Sequence, residues 1–358
     1  MIRAASLCLA ACALTAASMA QTPGFTYPDV KLGRTFVFPA DHGAHPDFRT
    51  EWWYVTGTVK TAKGKDLGFQ ITFFRTRPRV DPRNPSKFAP QQILFAHAAV
   101  SDSSVGKLIH DQRAARGGLG IAEAKRGDAD VRIKDWRLAR LSDGRFSARI
   151  IARGFALNLV FKPMQQPLLQ GEGGYSRKGP DPRSASYYYS LPQLATTGTI
   201  TRGTLIETVA GRSWLDREWS SRYLGGAAIG WDWTGLNFDD GAALMAFRIR
   251  GADGRSLWAG GTFRRANGVV VTLKPGDIRF TPTRTWRSKR TGATYPVAQI
   301  LTIKLPEGVK RLTLTPMFAD QELDARSSGL PVYWEGLVRT EGGRGYLELT
   351  GYAAPLAM

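Results

Sequence analysis

The chain has 358 residues, and its 49 Lys and Arg against 30 Asp and Glu give a formal net charge of +19. With 43% hydrophobic and 22% charged residues, it has the profile of a globular protein and not of a disordered chain. Beyond its N-terminus no apolar stretch suggests a spanning helix, so an integral membrane protein is not expected. The basic residues are scattered, without a basic run interleaved with aromatic residues, so no nucleic-acid partner is expected. The charge does favour contact with an anionic membrane surface or an acidic ligand.

The N-terminal residues predict export. Residues 1–3 carry one positive charge and residues 4–20 carry none, while Ser18 and Ala20 are small residues suited to a cleavage site after Ala20. This pattern is typical of a secretory signal peptide over residues 1–20, and it predicts a mature protein in the periplasm or outside the cell. The alternative is a lipoprotein, since Leu9-Ala10-Ala11-Cys12 resembles a lipobox, but the apolar run before Cys12 is short.

The sequence lacks the residues and motifs that several classes of enzyme require. Cys8 and Cys12 are the only cysteines and both lie in the predicted signal peptide, so the mature chain is expected to have no disulfide, thiol nucleophile or Cys metal site. The sequence contains no G-x-S-x-G elbow, H-E-x-x-H motif, Walker A loop or dinucleotide fingerprint. A serine or zinc hydrolase is therefore disfavoured, and neither a cofactor nor a metal is expected.

The hydrophobic pattern predicts an all-β fold. Apolar and polar residues alternate over 155–161, 245–250 and 301–305, and a period of two indicates strands with one buried face. Turn signals that end in Gly241, Gly254 and Gly268 follow one another at nearly even spacing. Strands of this length joined by tight turns suggest an antiparallel meander, and a long meander loses its free edges by closing into a barrel.

A weak internal repeat predicts two such barrels in tandem. Residues 51–77 and 230–250 each hold a Trp at the same short distance before a Gly, so that Trp53 pairs with Trp231 and Gly57 with Gly235. Two unrelated aromatic hairpins are the alternative. We expect an N-terminal domain over 31–222 and a C-terminal domain over 223–355, with the Gly- and Pro-rich stretch 171–183 as a loop in the first.

Histidines form the first candidate site. His42 and His45 lie near carboxylates in residues 41–51, a composition that resembles a metal site, but Gly43 and Pro46 predict a turn and no third His is nearby. A structural hydrogen bond or contact with a ligand is the preferred interpretation. His97 lies on an apolar strand, where a His is either a core residue or a proton donor.

Aromatic and acidic residues form two further candidates. Alternation along Glu51-Trp52-Trp53-Tyr54 puts Trp52 and Tyr54 on one face, which indicates either core packing or an aromatic-lined cavity for an apolar ligand. An extended 214–219 would likewise put Trp214, Asp216 and Glu218 on one face.

Two carboxylates beside indoles would have raised pKa values, and this would make one of them a proton donor near neutral pH. The alternative is an ion pair of Asp216 or Glu218 with Arg217, Arg222 or another arginine, buried where the two barrels meet.

Taken together, seven segments of the chain resemble the AttH-like family, also labelled predicted secreted hydrolases, which is distantly similar to carotenoid 1,2-hydratase (hydroxyneurosporene synthase). The segments are 38–45 (FPADHGAH), 51–54 (EWWY), 187–190 (YYYS), 214–219 (WLDREW), 230–233 (GWDW), 320–323 (DQEL) and 333–336 (YWEG). The resemblance covers roughly residues 30–353 and implies two lipocalin-like β-barrels. It also implies an association with an ABC-type exporter of lipids or lipoproteins.

The same resemblance implies a reaction. Carotenoid hydratases add water across a terminal isoprenoid double bond without a cofactor, with an acidic residue protonating the alkene and aromatic rings stabilising the cation. Asp216 resembles their catalytic aspartate.

Two hypotheses follow. In the first, the protein is a cofactor-free hydratase or isomerase for an apolar, isoprenoid-like substrate, with Asp216 as proton donor and Glu218 or a water as proton acceptor. In the second, it is a non-catalytic lipid or lipoprotein carrier that works with an ABC-type exporter. The predicted ligand-binding residues are Trp52, Tyr54, Trp214, Trp219, Trp231, Trp233, His42, His97 and Tyr188.

Overall fold

The computed structural model describes residues 26–81, 83–86 and 88–356, and the predicted signal peptide and Cys12 lie outside these ranges. Within the described residues the protein is built from β-strands and three short 3-10 turns, Ala40–His42, Pro275–Asp277 and Arg326–Ser328, without an α-helix. None of the helical segments described is long and apolar enough to cross a membrane. The prediction of an all-β fold with two lipocalin-like antiparallel barrels in tandem is confirmed.

The first sheet has 13 antiparallel strands. They are β1 (Thr50–Thr61), β2 (Asp66–Thr76), β3 (Ile93–Ser101), β4 (Ile109–Arg116), β5 (Ala122–Ala124), β6 (Asp130–Ile133), β7 (Trp136–Arg140), β8 (Phe146–Ala152), β9 (Phe155–Lys162), β10 (Leu168–Leu169), β11 (Tyr175–Arg177), β12 (Ala185–Arg202) and β13 (Leu205–Arg222).

The second sheet has ten antiparallel strands. They are β14 (Ala228–Phe238), β15 (Ala243–Gly251), β16 (Ser256–Arg264), β17 (Val270–Leu273), β18 (Ile278–Arg287), β19 (Thr294–Leu305), β20 (Gly308–Pro316), β21 (Glu322–Asp324), β22 (Val332–Thr340) and β23 (Gly343–Leu349).

The two sheets share one topology at their centres. The strand order is β4-β3-β2-β1-β13-β12-β9-β8-β7-β6-β5 in the first sheet and β17-β16-β15-β14-β23-β22-β20-β19-β18 in the second. In each, the first strand of the sheet pairs with the second and with the last. The first sheet curls until β4 approaches β7 and β8, where the Arg113 guanidinium lies 4.6 Å from the ring of Trp136.

Each barrel has its own apolar core. Alternation sends Trp53, Val55 and Trp219 into the first barrel, where they join residues of β2, β8 and β9. Leu236 and Trp334 do the same in the second barrel. These side chains pack the inner faces of the two barrels, and the candidate site described below lies between the sheets.

The hairpin repeat is present, but the two tryptophans that suggested it face opposite ways. Trp53 is buried inside the first barrel, whereas Trp231 lies on the outer face of the second sheet. The side chains that do share an orientation are Trp52 with Trp231 and Tyr54 with Trp233, one position away from the pairing that the sequence suggested. A slip of one residue reverses the face of every side chain in a strand, which is why the pairing of Trp53 with Trp231 misled.

The barrels pack through their outer faces. An apolar cluster that includes Tyr54, Tyr188, Trp233 and Phe247 joins the two sheets. Polar contacts flank it: Gln70 donates to the Tyr333 hydroxyl at 2.9 Å, and Ser101 donates to Gln321 at 2.8 Å. These contacts hold the central strands of both sheets face to face, which positions the candidate site.

Candidate active site between the two barrels

Strand alternation brings the predicted acids to the interface. Asp216 and Glu218 point out of the first barrel, and the intervening Arg217 points inwards. On the neighbouring strand β1, Tyr54 stands opposite Asp216 and Trp52 opposite Glu218. The predicted shared face of Trp214, Asp216 and Glu218 therefore exists, and it is the face that meets the second barrel.

The second sheet adds two glutamates that the sequence analysis did not select. Glu348 on β23 stands opposite Trp233 of β14 on one side and opposite Glu335 of β22 on the other. Side chains directly opposite each other in an antiparallel pair lie on the same face about 5 Å apart, where two like charges repel. This pair of carboxyl groups faces the first sheet.

Between the two outer faces lies a cavity of about 310 Å³. This is within the range of small-molecule sites, which are mostly apolar with a few polar groups. Its aromatic walls include Trp52, Phe74, Phe95, Tyr223, Trp231 and Trp233. Its polar groups include Tyr54, His97, Lys178, Glu218, Tyr333, Glu335 and Glu348.

Asp216 lies behind this wall with its oxygens satisfied. It accepts hydrogen bonds from Tyr188 at 2.8 Å, from the Trp214 indole at 2.6 Å and from Ser190. Burial raises the pKa of Asp216 to about 7, and the charge of Glu218 adds to this while the three donors oppose it. Tyr188 also accepts a hydrogen bond from Trp233 at 3.0 Å, so it links Asp216 to the second sheet.

Glu218 is paired with a lysine. The Lys178 ammonium lies 2.9 Å from Glu218 and 3.0 Å from the Ser176 hydroxyl, and Ser186 donates to the same carboxylate. The Lys178 ammonium also lies 4.3 Å from the ring centre of Phe247 and 4.9 Å from that of Tyr188. Burial lowers the pKa of Lys178, while Glu218 opposes the shift.

Neither Glu335 nor Glu348 has a salt-bridge partner in the described part of the chain. Burial raises the pKa of Glu335 well above its usual range, and the facing Glu348 adds to the effect. Burial likewise raises the pKa of Glu348 to about 7, opposed by a hydrogen bond from Trp231. Both shifts favour the protonated form of the pair.

Polar groups around the glutamate pair are under-satisfied. Within the described residues, Tyr54 Oη, Gln70 Oε1, Thr72 Oγ1 and Glu335 Oε1 have no hydrogen bond of normal geometry, although Tyr54 lies near Glu335. Buried polar groups without partners are rare in proteins and mark sites that need an explanation. Here they cluster beside a cavity of ligand size, as expected of a site that receives a polar group.

The remaining predicted residues divide between the cavity and other places. His97 lines the cavity and is 2.9 Å from the Tyr333 hydroxyl, and burial lowers its pKa to about 3, so the ring is neutral. Trp214 binds Asp216 but borders a different depression. Trp219 and His42 lie on the inner side of the first sheet, where His42 is 2.6 Å from the Tyr189 hydroxyl. Trp219, predicted to bind the ligand, therefore lies on the opposite side of the sheet from Asp216 and outside the lining of the cavity.

The alternative prediction was a buried ion pair of Asp216 or Glu218 with an arginine, but the acid that binds buried arginines is Glu51. Arg217 binds Glu51 inside the first barrel, together with Arg75, and neither Asp216 nor Glu218 has an arginine partner within the described residues. The two arginines hold the pKa of Glu51 below its usual range, against the effect of burial. Alternation on β13 separates Arg217 from its sequence neighbours.

Near His42 and His45, the described residues form a hydrogen-bonded network instead of a cluster of metal ligands. Asp41 binds His45 at 3.0 Å and Arg34, and the His45 ring stacks on Trp219 at 3.7 Å. No group of three or more His, Cys, Asp or Glu side chains in the described ranges is arranged to hold a metal ion. The absence of a metal stays a prediction.

Comparison with known proteins identifies the family. The family model described as AttH-like matches residues 29–352. The chain belongs to the AttH-like family. An AttH crystal structure from Nitrosomonas europaea is 49% identical, with a TM-score of 0.83, and the match covers 91% of this chain and 99% of that one. No curated protein sequence matches significantly.

Two more distant structures share the fold. Kievitone hydratase from Nectria haematococca is 16% identical with a TM-score of 0.67, covering 89% of this chain and 93% of its own. The structure of CghA with Sch210972 is 12% identical with a TM-score of 0.51, covering 85% of this chain and 89% of its own. At these identities the likeness shows the tandem-barrel architecture.

Proposed function

We propose that the protein binds a largely apolar substrate between its two barrels and protonates a carbon–carbon double bond of that substrate, followed by addition of water or by loss of a different proton. The first outcome is hydration and the second is isomerisation. The observation that carries the proposal is the facing pair of buried carboxyl groups, Glu335 and Glu348, in the wall of an aromatic cavity. A carboxyl group with a pKa near 7 is well matched to proton donation at neutral pH.

The cavity supplies what such a reaction needs. Protonation of an alkene forms a carbocation, and the faces of indole and phenol rings attract cations. Trp52, Trp231 and Trp233 provide these rings. In hydration, the proton moves from the glutamate pair to one alkene carbon, a water oxygen bonds to the other, and the water's spare proton returns to a carboxylate. Substrate and water are consumed and no cofactor is needed.

The geometry suggests different roles for the acids. We assign proton donation to the Glu335–Glu348 pair because both residues line the cavity. We assign acceptance of the proton from water to Glu218, which lines the cavity and binds Lys178. Asp216 is proposed to act through Tyr188 as a positioning residue, because Tyr188 and Trp214 occupy its oxygens. The earlier assignment of Asp216 as donor stays a prediction that the same experiments test.

Kievitone hydratase gives the hydratase hypothesis a precedent in this fold. Fold likeness at 16% identity does not transfer a reaction, so the proposal rests on the carboxyl groups of this chain. Export to the periplasm through the signal peptide at residues 1–20 is likewise a proposal, which rests on the N-terminal sequence.

A carrier is the second candidate, and a specific observation favours it. The cavity lies between the two barrels and is walled by aromatic rings, which suits storage of an apolar lipid as well as chemistry. In this case the partner would be an ABC-type exporter, and the glutamate pair would only bind a polar group of the cargo.

Solvent deuterium separates the two candidates. Geraniol, an isoprenoid alcohol with two alkenes, is incubated in D₂O with the wild-type protein and with Glu348→Gln, and its carbon-bound deuterium is measured by mass spectrometry. An enzyme that protonates an alkene leaves deuterium on carbon, and we expect Glu348→Gln to lower the rate by about 10²–10⁴, the usual contribution of a positioned acid. Asp216→Asn is expected to lower it less.

Ligand binding is measured on the same samples by quenching of the cavity tryptophans. If geraniol binds to the wild-type protein and returns without carbon-bound deuterium, the carrier proposal replaces the enzyme. If Asp216→Asn abolishes the exchange and Glu348→Gln does not, Asp216 is the donor and our assignment is wrong.

A further inference from the structure

A second, basic chamber adjoins the aromatic cavity. It has a volume of about 570 Å³ and shares Arg49, Ser221 and Tyr223 with the wall of the main cavity. The connection between the barrels, from Tyr223 to Gly226, forms part of its wall. The ring of Tyr223 contacts Trp52 and Trp231 at centroid distances of 4.8 and 5.6 Å, so this residue and Arg49 form the throat between the two spaces.

The chamber carries an excess of positive charge. Arg49, Arg79 and Arg222 line it, and Asp181 is its one acidic lining residue within the described part of the chain. Asp181 is already held by Arg183 at 2.8 Å. Arg222 lies 3.4 Å from Asp29, and this pair is about half exposed to solvent, so water weakens it.

Arg49 differs from three of the buried arginines in its lack of a carboxylate partner. Arg75, Arg217 and Arg250 each bind a carboxylate. Arg49 is half-buried, and its guanidinium group forms no ion pair with a carboxylate of the described residues. A partly desolvated guanidinium without a counter-ion retains its capacity for bidentate binding of a carboxylate or a phosphate.

We propose that the ligand is amphipathic, with an apolar part in the aromatic cavity and one anionic group, a carboxylate or a phosphate, bound by Arg49 at the throat. Arg79 and Arg222 line the approach of that group from solvent. The proposal deepens the proposed function, and it rests on the same cavity as the binding site. The formal net charge of +19 favours the encounter, because a positively charged surface steers anions towards a cleft.

Three probes with one isoprenoid skeleton test the proposal: geraniol, geranic acid and geranyl phosphate. Their affinities for the wild-type protein, Arg49→Gln and Arg49→Lys are measured by tryptophan quenching. We expect at least one anionic probe to bind about tenfold or more tightly than geraniol, as a charge-assisted hydrogen bond would provide. Arg49→Gln is expected to remove this preference and Arg49→Lys to retain part of it, with the preference measured in each variant as the ratio of its affinity for the anionic probe to its affinity for geraniol.

The control is Arg311→Gln, which removes the same charge from an exposed position on β20 outside both chambers. Thermal melts of all variants establish that they fold. Preference for geranic acid alone identifies a carboxylate ligand, and preference for geranyl phosphate alone identifies a phosphate ligand.

Equal affinities for the three probes, no binding of either anionic probe, or an equal effect of Arg311→Gln would overturn the inference. Deuterium exchange into neutral geraniol is independent of the anionic group. If it proceeds while the affinities are equal, only the inference about Arg49 fails; if it is absent while Arg49 shows the preference, only the catalytic proposal fails.

Discussion

The interior of the first barrel and the cavity between the barrels both bury carboxyl groups, and the two environments shift the pKa values of these groups in opposite directions. Inside the barrel, Glu51 is clamped by Arg75 and Arg217, which holds its pKa below the usual range. In and beside the cavity, Asp216, Glu335 and Glu348 have no arginine partner in the described ranges, and burial raises their pKa values.

Strand β13 contributes side chains to both environments, because its neighbouring residues point to opposite faces of the sheet. Along β13, Arg217 points into the barrel, while Asp216 and Glu218 point out of it. A buried ion pair fixes a charge in place and stabilises the local structure only while both partners are present. An unpaired buried carboxyl group instead keeps a proton that it can give away. The barrel interior therefore favours an ionised carboxylate, and the cavity favours protonated carboxyl groups.

The largest expected effect is a loss of stability when Glu51 no longer binds Arg75 and Arg217. Glu51→Gln leaves two buried arginines without their carboxylate, and we expect the free energy of unfolding to fall by about 3–5 kcal/mol. Asp216→Asn leaves no arginine unpaired, so its cost should be much smaller. Chemical denaturation of both variants at neutral pH measures the contrast. Equal losses would show that an ionised Asp216 also stabilises the fold, and this would contradict the proposed difference between the two regions.

The next effect is a pH dependence of stability at Glu348. Its pKa is about 7 in the folded protein against an ordinary value of 4.5, so between these pH values the unfolded chain loses a proton that the folded protein keeps. The contribution of Glu348 to stability therefore falls as the pH rises from about 4.5 to about 7. Glu348→Gln has no such proton, and its stability relative to wild type should rise over this range by up to about 3 kcal/mol.

The control for this pH dependence is Glu341→Gln, which removes the same charge from the exposed turn between β22 and β23. Unfolding free energies at several pH values between about 4.5 and 8 give the two differences. A Glu348→Gln difference that stays constant with pH, or that follows that of Glu341→Gln, would show that the Glu348 carboxyl is ionised like a surface group.

A smaller effect is expected at the hydrogen bonds that join the two regions. Tyr188→Phe removes a hydroxyl that donates to Asp216 and accepts from Trp233, and should cost about 1–3 kcal/mol because both partners lose a hydrogen bond. Tyr54→Phe is the matched change at a hydroxyl without a normal hydrogen bond in the described residues. This change should lower stability little. Thermal melts measure both variants, and equal melting temperatures would contradict the assigned hydrogen bonds.

Much of the fold was predictable because alternation is a local signal. The period-two pattern predicted the strands, and the spacing of the turns predicted the meanders. The shared face of Trp214, Asp216 and Glu218 followed from the same rule. The repeat was found one position out of step, since a Trp-to-Gly spacing does not reveal which face of a strand is buried.

The rest of the site depends on contacts between separate strands. Glu348 is a single acid in an alternating strand, and Glu335 on the preceding strand meets it only through the register of β22 and β23. Glu335 lies in the YWEG segment that resembled the family, which was the one signal for it. Lys178 lies in a stretch expected to be a loop, and its burial arises from packing against Glu218 and Phe247.

The most direct test of the central claim is whether the cavity holds a protonated carboxyl group near neutral pH. Infrared difference spectra between wild type and Glu348→Gln, recorded at about pH 6 and about pH 9, detect the C=O stretch of a protonated carboxyl without any ligand. We predict a carboxylic acid band in the wild type at the lower pH, a weaker band at the higher pH because Glu348 has lost its proton, and a weaker band in Glu348→Gln at the lower pH, where Asp216 still contributes. A wild-type spectrum that contains only ionised carboxylate at about pH 6, or a protonated band unaffected by Glu348→Gln and removed by Asp216→Asn, would contradict the account.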